Sequence, residues 1–147
     1  MDEQRRKGLA KMNEVYAWDM PNIEGDAFFD LTVDQLFGDI WTRPGLSMRD
    51  KRIMTLAVVT ALGQQDLAEI QVNAALENEE LTDAEVKEMA VFLTQYVGFP
   101  LASGLNGTLG RVVGKRKKAA ARGSGSDRSA NAGDAVRMHT GKDPDQG

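Results

Sequence analysis

Apolar residues recur at helical spacing along most of residues 1–118. The segment AFFDLTVDQLFGDIW, residues 27–41, and the segment from Met48 to Leu62 each place apolar side chains near this spacing. A period of about 3.6 residues is typical of helices that bury one face. No segment combines β-branched residues with the period-two alternation of a strand. The pattern therefore predicts an all-α fold of about five to seven helices.

Residues with helix-stop and helix-start chemistry separate the predicted elements. A proline moves the residue before it out of the α region, a glycine accepts the positive φ after a helix, and a hydroxyl side chain caps N–H groups at a helix start. These signals predict helices over 3–17, 48–62 and 65–77, a further helix after Thr82, and a last helix that begins at Pro100. The residues at the breaks are Pro44, Gly45, Ser47, Gly63, Thr82, Glu85 and Pro100.

The C-terminal residues differ from the rest in composition. All nine aromatic residues lie between Tyr16 and Phe99, and the end of the chain is rich in Gly, Ser, Asp and Ala. Such a segment buries too little apolar surface to offset its ordering entropy. We therefore predict one helical domain over 1–118 and a tail over 119–147 that is disordered unless a partner orders it. His139, the single histidine, lies in this tail and is expected to be inert.

Composition narrows the classes of function. The chain has no cysteine, which excludes disulfides, thiolate catalysis and cysteine-bound zinc. Its net charge of −4 favours neither nucleic acid nor anionic lipid as a partner, and we read the basic residues between 111 and 122 as a charged helix end. No spacing of Asp and Glu repeats a metal-binding loop, so no metal is expected. Without a signal peptide or a long apolar run, we expect a soluble cytoplasmic protein.

Three stretches resemble one known family when they are taken together. They are LFGDIWTRPGLSMRDKRIMTLAVVTALG, LAEIQVNAALENEELTDAEVKEM and QYVGFP, which fall between about residues 36 and 102. As a set they resemble the carboxymuconolactone decarboxylase family. The resemblance implies an all-helical, alkylhydroperoxidase-like fold built around a helical hairpin. It also implies a homotrimer or homohexamer with sites near the subunit contacts.

The resemblance places the family's reactive groups on positions that have changed here. Redox members attack peroxides with a CxxC pair, and decarboxylating members remove CO₂ from a lactone without a cofactor. The family's glutamate falls on Arg52, its histidine on Gln71, and its two cysteines on Gln64 and Leu67. Peroxidase chemistry is therefore the least expected, because no thiol remains. Arginine stays protonated and glutamine does not titrate, so the usual proton-carrying pair is absent.

These residues suit the binding of a small anionic ligand. We predict that Arg52 holds a carboxylate or an enolate oxygen, that Gln71 orients the ligand and that Tyr96 passes a proton. The alternatives are a solvated or ion-paired Arg52, with Asp50 or Glu69 as its acid, a surface Gln71 and a core Tyr96. The predicted ligand-binding residues are Arg43, Trp41 and Phe99. We also expect an aromatic core that contains Trp41, Phe37, Phe92 and Phe99.

Two hypotheses for the function follow. The first is a cofactor-independent lyase or isomerase that acts on a small anionic lactone or keto acid of aromatic-compound breakdown. The second is a catalytically degenerate, oligomeric ligand-binding or scaffolding protein, which the loss of the acid and base groups favours. Arg43 fits either hypothesis, and a loop arginine stacked on Trp41 is the simpler interpretation of that residue.

Overall fold

The all-α prediction is confirmed over the residues that the structure describes. A computed structural model describes residues 1–123 and 128–140, and no strand occurs among them. The helices are α1 (Glu3–Tyr16), α2 (Ala27–Asp30), the π-helix π1 (Leu31–Ile40), α3 (Met48–Ala61), α4 (Gln65–Glu77), α5 (Asp83–Val97), α6 (Phe99–Ala121) and α7 (Arg128–Thr140).

The predicted capping residues set the ends of the helices. The Ser47 hydroxyl accepts the Asp50 N–H at 3.0 Å, which caps the start of α3. Gly63 follows α3 with a φ of +70°, the left-handed conformation that glycine adopts most easily. Thr82 and Glu85 form the predicted capping box at the start of α5, each side chain accepting the other residue's backbone N–H. Local chemistry thus determines where α3 begins and ends and where α5 begins.

The helix predicted over 27–41 forms, but most of it is a π-helix, which the apolar pattern did not indicate. It ends with the Trp41 N–H donating to the Leu36 carbonyl at 2.9 Å, an i to i+5 step. Helix α1 lies very close to π1: a Cβ built on Gly8 would lie 2.0 Å from the Val33 carbonyl oxygen. The backbones of α1 and π1 thus approach each other so closely at Gly8 that only glycine fits there.

Backbone contacts divide the chain into two compact units. The first unit contains Met1–Gly45 and Asp127–Gly147, and the second contains Leu46–Ser126. The sequence predicts one helical domain over 1–118. The predicted boundary at residue 118 stays a prediction.

The first unit has an aromatic core. Tyr16 meets Trp18 edge to face with ring centroids 4.7 Å apart, and Phe37 at 5.1 Å. Phe37 stacks on Trp41 at 6.2 Å. Both Phe37 and Trp41 are buried, as expected for core residues.

Helix α7 differs from the disorder expected over 119–147. The Arg128 guanidinium donates to Asp19 Oδ1 at 3.0 Å and to the carbonyls of Asn13 and Trp18, both at 2.9 Å. Ala132 and Ala135 are buried. Helix α7 therefore packs through buried alanines and the bonds of Arg128. The absence of aromatic residues, which suggested disorder, did not prevent this packing. Helix α6 also continues to Ala121, and residues 124–127 and 141–147 lie outside the described part of the tail.

The second unit packs α6 against α3, α4 and α5, and α3 against α4. Helix α5 buries Val86, Ala90 and Leu93, and Met89 and Val97 pack against this core. The rest of this core is Leu56, Val72, Ala75, Leu81, Ala102, Leu105, Leu109 and Val112. The antiparallel pair of α3 and α4 is the predicted helical hairpin, and it carries the candidate site.

Candidate functional site

The hairpin brings the two principal predicted residues into contact. Arg52 on α3 is fully buried, and Gln71 on α4 is 4% exposed. Arg52 Nη1 donates a hydrogen bond to Gln71 Oε1. Arginine can only donate, so the amide oxygen must face it, and the amide N–H groups of Gln71 are turned away. The interpretations of Arg52 as a solvated charge and of Gln71 as a surface residue are therefore wrong.

A carboxylate that the sequence did not indicate completes this cluster. Glu80 Oε2 accepts from Arg52 Nε at 3.0 Å, and Glu80 Oε1 accepts from Arg52 Nη2 at 3.0 Å. Two parallel charge-assisted bonds of this kind are a strong and directional pairing. The Glu80 side chain is only 8% exposed. The acid partner of Arg52 is thus Glu80, whereas Glu69 pairs with Lys115 at 2.7 Å.

The turn after α4 aims Glu80 at Arg52. Glu79 has a φ of +55°, a left-handed conformation that non-glycine residues seldom adopt. The Glu80 and Leu81 N–H groups then donate to the Ala75 carbonyl at 3.0 and 3.3 Å. Asn78 Nδ2 donates to Glu80 Oε1 at 3.4 Å. No apolar period or motif marks this turn, which is why sequence reasoning missed Glu80.

The cluster therefore contains one buried cation, one buried anion and one neutral amide. An unpaired buried charge is costly, and the carboxylate offsets that cost for Arg52. We name Arg52, Gln71 and Glu80 the arginine cluster. An arginine guanidinium can stabilise negative charge on a ligand, but it is not a general acid or base.

Tyr96 and Phe99 lie at the surface of the second unit. Tyr96 is 75% exposed and Phe99 is 71% exposed. Tyr96 contacts Phe92, itself 62% exposed, with ring centroids 5.2 Å apart. The expectation that Phe92 and Phe99 are core residues is wrong, and so is the interpretation of Tyr96 as core packing. The role of Tyr96 in proton transfer stays a prediction.

Trp41 and Arg43 belong to the first unit. Trp41 is buried on Phe37, and Arg43 is exposed in the segment that follows π1. Neither residue shares a unit with the arginine cluster. Their part in ligand binding stays a prediction.

The corner between α3 and α4 holds Gln64 and Leu67, the positions on which the resemblance places the two cysteines of redox members. A small cavity of about 30 Å³ lies there, lined in part by Thr60, Gln64, Gln65 and Gly104. The Thr60 hydroxyl is buried and has no hydrogen-bond partner in the described part of the chain. A cavity of this size holds about one water molecule. With Gln64 and Leu67 in place of thiols, the corner offers no redox group.

Among residues 1–123 and 128–140, no three His, Asp or Glu side chains come together in a way that would hold a metal ion. No helix in this part is long and apolar enough to cross a membrane. His139 lies within α7, and its side chain is outside the described set.

Comparison with known proteins identifies the family. Residues 26–106, more than half of the chain, match the model of the carboxymuconolactone decarboxylase family. The chain is also 33% identical over 110 residues to a protein named 4-carboxymuconolactone decarboxylase from Acinetobacter baylyi, and the match covers 69% of this chain and 81% of that protein. The family match over residues 26–106 includes α3, α4 and α5, and so contains Arg52, Gln71 and Glu80. The chain therefore belongs to the carboxymuconolactone decarboxylase family.

Proposed function

We propose that this protein is a cofactor-independent lyase or isomerase that acts on a small anionic lactone or keto acid, with the arginine cluster as its site. The observation that carries the proposal is the buried contact between Arg52 and Gln71. These two residues occupy the positions where the resemblance places proton-handling groups. The name of the Acinetobacter relative makes a carboxylated lactone the first substrate to test.

The chemistry of decarboxylation fits a fixed cation. When the carbon–carboxyl bond breaks, CO₂ leaves and its bonding electrons remain on the substrate as an enolate. A guanidinium in a water-poor site stabilises that negative charge more than water does. Arg52 supplies this stabilisation, and Gln71 orients the substrate by its amide. The proton that ends the reaction at carbon is assigned to Tyr96.

Association of subunits is part of the proposal. Phe92, Tyr96 and Phe99 are large, exposed aromatic side chains, which subunit contacts commonly cover. The homotrimer or homohexamer that the resemblance implies would bury them and place Tyr96 in a drier environment. Light scattering at micromolar protein concentration tests this point, and a monomer would contradict it.

Turnover of 4-carboxymuconolactone tests the proposed activity. Its ultraviolet absorbance should fall in the presence of the protein. Arg52→Lys should lower the rate by about a hundredfold, because lysine cannot reproduce the planar fork. Arg111→Lys is the matched control, since Arg111 is half-exposed and lies 4.0 Å from Glu69. Equal rates for the natural protein and Arg52→Lys would contradict the site assignment.

A second candidate function is a ligand-binding or scaffolding member without catalysis. The observation that favours it is the engagement of two Arg52 nitrogen atoms by Glu80. In that case, calorimetry should detect binding of 4-carboxymuconolactone, with no consumption of the lactone over hours. Consumption by the natural protein would exclude this candidate.

A further inference from the structure

We propose that the Arg52 guanidinium is a carboxylate-binding site that Glu80 occupies as an internal ligand, and that a small external carboxylate binds there by displacing the Glu80 side chain. This inference rests on the proposed function in one respect: it takes Arg52 as the residue that binds the anion. It adds the way in which the site opens and the group with which the ligand competes.

The geometry of the pair is the geometry of carboxylate recognition. Arg52 Nε and Nη2 face the two oxygens of Glu80, each at 3.0 Å. A ligand carboxylate that bound the same edge would need the same two bonds. Gln71 Oε1 holds Nη1 on the other side, so the guanidinium keeps its orientation when its acid partner changes.

Exchange of one carboxylate for another avoids the main energetic obstacle at a buried cation. Removing the only acid from a buried pair leaves an uncompensated charge and is strongly unfavourable. An incoming carboxylate restores both the charge balance and the two hydrogen bonds. Displacement by an anion is therefore accessible, whereas simple loss of Glu80 from the cluster is not.

Glu80 is the member of the cluster that is placed to leave. Arg52 and Gln71 lie within helices, whereas Glu80 lies in the turn between α4 and α5. Its side chain is 8% exposed and that of Arg52 is 0% exposed, so Glu80 is on the solvent side of the pair. The backbone of this turn is held by the two N–H bonds to the Ala75 carbonyl. The proposed exchange therefore requires rotation of the Glu80 side chain about a backbone that is held in place.

An open groove beside this turn suits a carboxylate with an apolar body. It has a volume of about 550 Å³ and includes Glu79 and Leu81, the neighbours of Glu80. Leu76, Leu81 and Val113 contribute apolar side chains to its lining, which can accept a small ring or chain. The charged residues of the lining are two cations, Arg116 and Lys117, and two acids, Glu79 and Asp83, and Arg116 is paired with Glu77 at 2.8 Å. Lys117 therefore offers a positive charge to a carboxylate in the groove.

Chemical rescue by formate tests the inference directly. Glu80→Ala removes the internal carboxylate, so the variant should melt at a lower temperature than the natural protein. Added formate should then raise the melting temperature of the variant more than the same concentration of chloride does. Glu69→Ala is the matched control, because Glu69 forms a surface pair with Lys115. The double variant Arg52→Met, Glu80→Ala should also show no formate-specific rise. A response to formate no larger than that of Glu69→Ala would overturn the proposal.

A second variant covers the case in which Glu80→Ala does not fold. Glu80→Gln keeps the shape and one acceptor oxygen of the side chain but removes its charge. The Arg52 Nε–H signal in the nitrogen-15 spectrum should shift with added formate, and the midpoint should lie at least about tenfold lower in formate than for the natural protein. Equal midpoints, or no shift in Glu80→Gln, would overturn the proposal.

Failure here is distinguishable from failure of the proposed function. Formate is not turned over, so its binding reports the site and not the reaction. Formate rescue in a protein that does not consume 4-carboxymuconolactone would support the binding site and contradict the enzyme. Consumption that depends on Arg52 without any formate response would support the enzyme and contradict the exchange.

Discussion

Two arginines, one in each unit, are held by acids in different ways. Arg5 in the first unit donates to Asp34 at 2.8 and 3.0 Å and also to Asp30. Its side chain is 13% exposed, and those of Asp30 and Asp34 are 46% and 40% exposed. Within the described part of the chain, Arg52 in the second unit pairs with Glu80, and neither side chain is more than 8% exposed.

This difference indicates a structural role for Arg5, which links two helices, and fits the binding role proposed for Arg52. Two aspartates exceed the charge of Arg5, so the surroundings of Arg5 repel an additional anion. Hydrogen bonds to Asp34 and then to Asp30 raise the pKa of Arg5, which keeps it charged and fixed between α1 and π1. Among the residues that the structure describes, the carboxylate paired with Arg52 is that of Glu80, and both side chains are buried. Burial and one-to-one charge balance, rather than the presence of an ion pair, mark the second site.

Substituting Arg52 and Arg5 in turn should give the largest difference between the two units in the free energy of unfolding. Arg52→Met leaves Glu80 buried without a cation, and the free energy of unfolding should fall by about 3–5 kcal/mol. Arg5→Met leaves two half-exposed aspartates that water can solvate, so its loss should be clearly smaller. Urea unfolding followed by circular dichroism measures both changes.

The double variant Arg52→Met, Glu80→Met sharpens this test. Replacing both charges with apolar side chains of similar size should recover much of the stability lost in Arg52→Met. A double variant as unstable as the sum of two single variants would show that the pair is not a coupled unit.

Glycine substitutions compare the packing of the two units and should have smaller effects of opposite sign. Gly8→Ala forces a methyl group onto the Val33 carbonyl and should destabilise the first unit by about 1–3 kcal/mol. Gly110→Ala, on an exposed face of α6 with no heavy atom within 4 Å of the new Cβ, should stabilise the protein by about 0.5–1 kcal/mol. Melting temperatures measure both. A melting temperature that Gly8→Ala leaves unchanged or raises would contradict the close approach of α1 to π1.

The smallest effect should come from an exposed pair in the second unit. The N–H of Thr82, and then Arg49, donate hydrogen bonds to Glu85 and lower the pKa of its carboxyl below 4.5. A lowered pKa in the folded state adds stability above the unfolded pKa, and this is lost as the pH falls through the folded value. Between pH 6 and pH 3, the natural protein should lose more of its melting temperature than Glu85→Gln does. Parallel curves would contradict the shift.

The sequence was sufficient for the helices and their ends because these depend on local chemistry. Ser47, Gly63 and the box of Thr82 and Glu85 act within one helical turn, and each is found as predicted. Features that depend on distant contacts were missed. The π-helix accompanies the approach of Gly8 to Val33, and α7 is held by Arg128 bonds to residues more than 100 positions away.

The residues of the candidate site also fall into those that the sequence predicted and those that depend on distant contacts. Arg52 and Gln71 were found because the resemblance assigns their positions, and the structure places them in contact. Glu80 was missed because its direction depends on the left-handed Glu79 and on bonds to Ala75, neither of which has a sequence signature. The exposure of Phe92 and Phe99 was missed because apolar periodicity cannot separate a core face from an exposed apolar face.

The arginine side-chain spectrum of the nitrogen-15-labelled protein tests the central claim most directly. It would be titrated with muconate, an unsaturated dicarboxylate, and the Arg52 and Arg5 Nε–H signals would be assigned from Arg52→Lys and Arg5→Lys. The account predicts a saturable shift of the Arg52 signal while the Arg5 signal stays in place. An unmoved Arg52 signal, or equal shifts of both, would contradict the claim that Arg52 is the anion-binding residue of this protein.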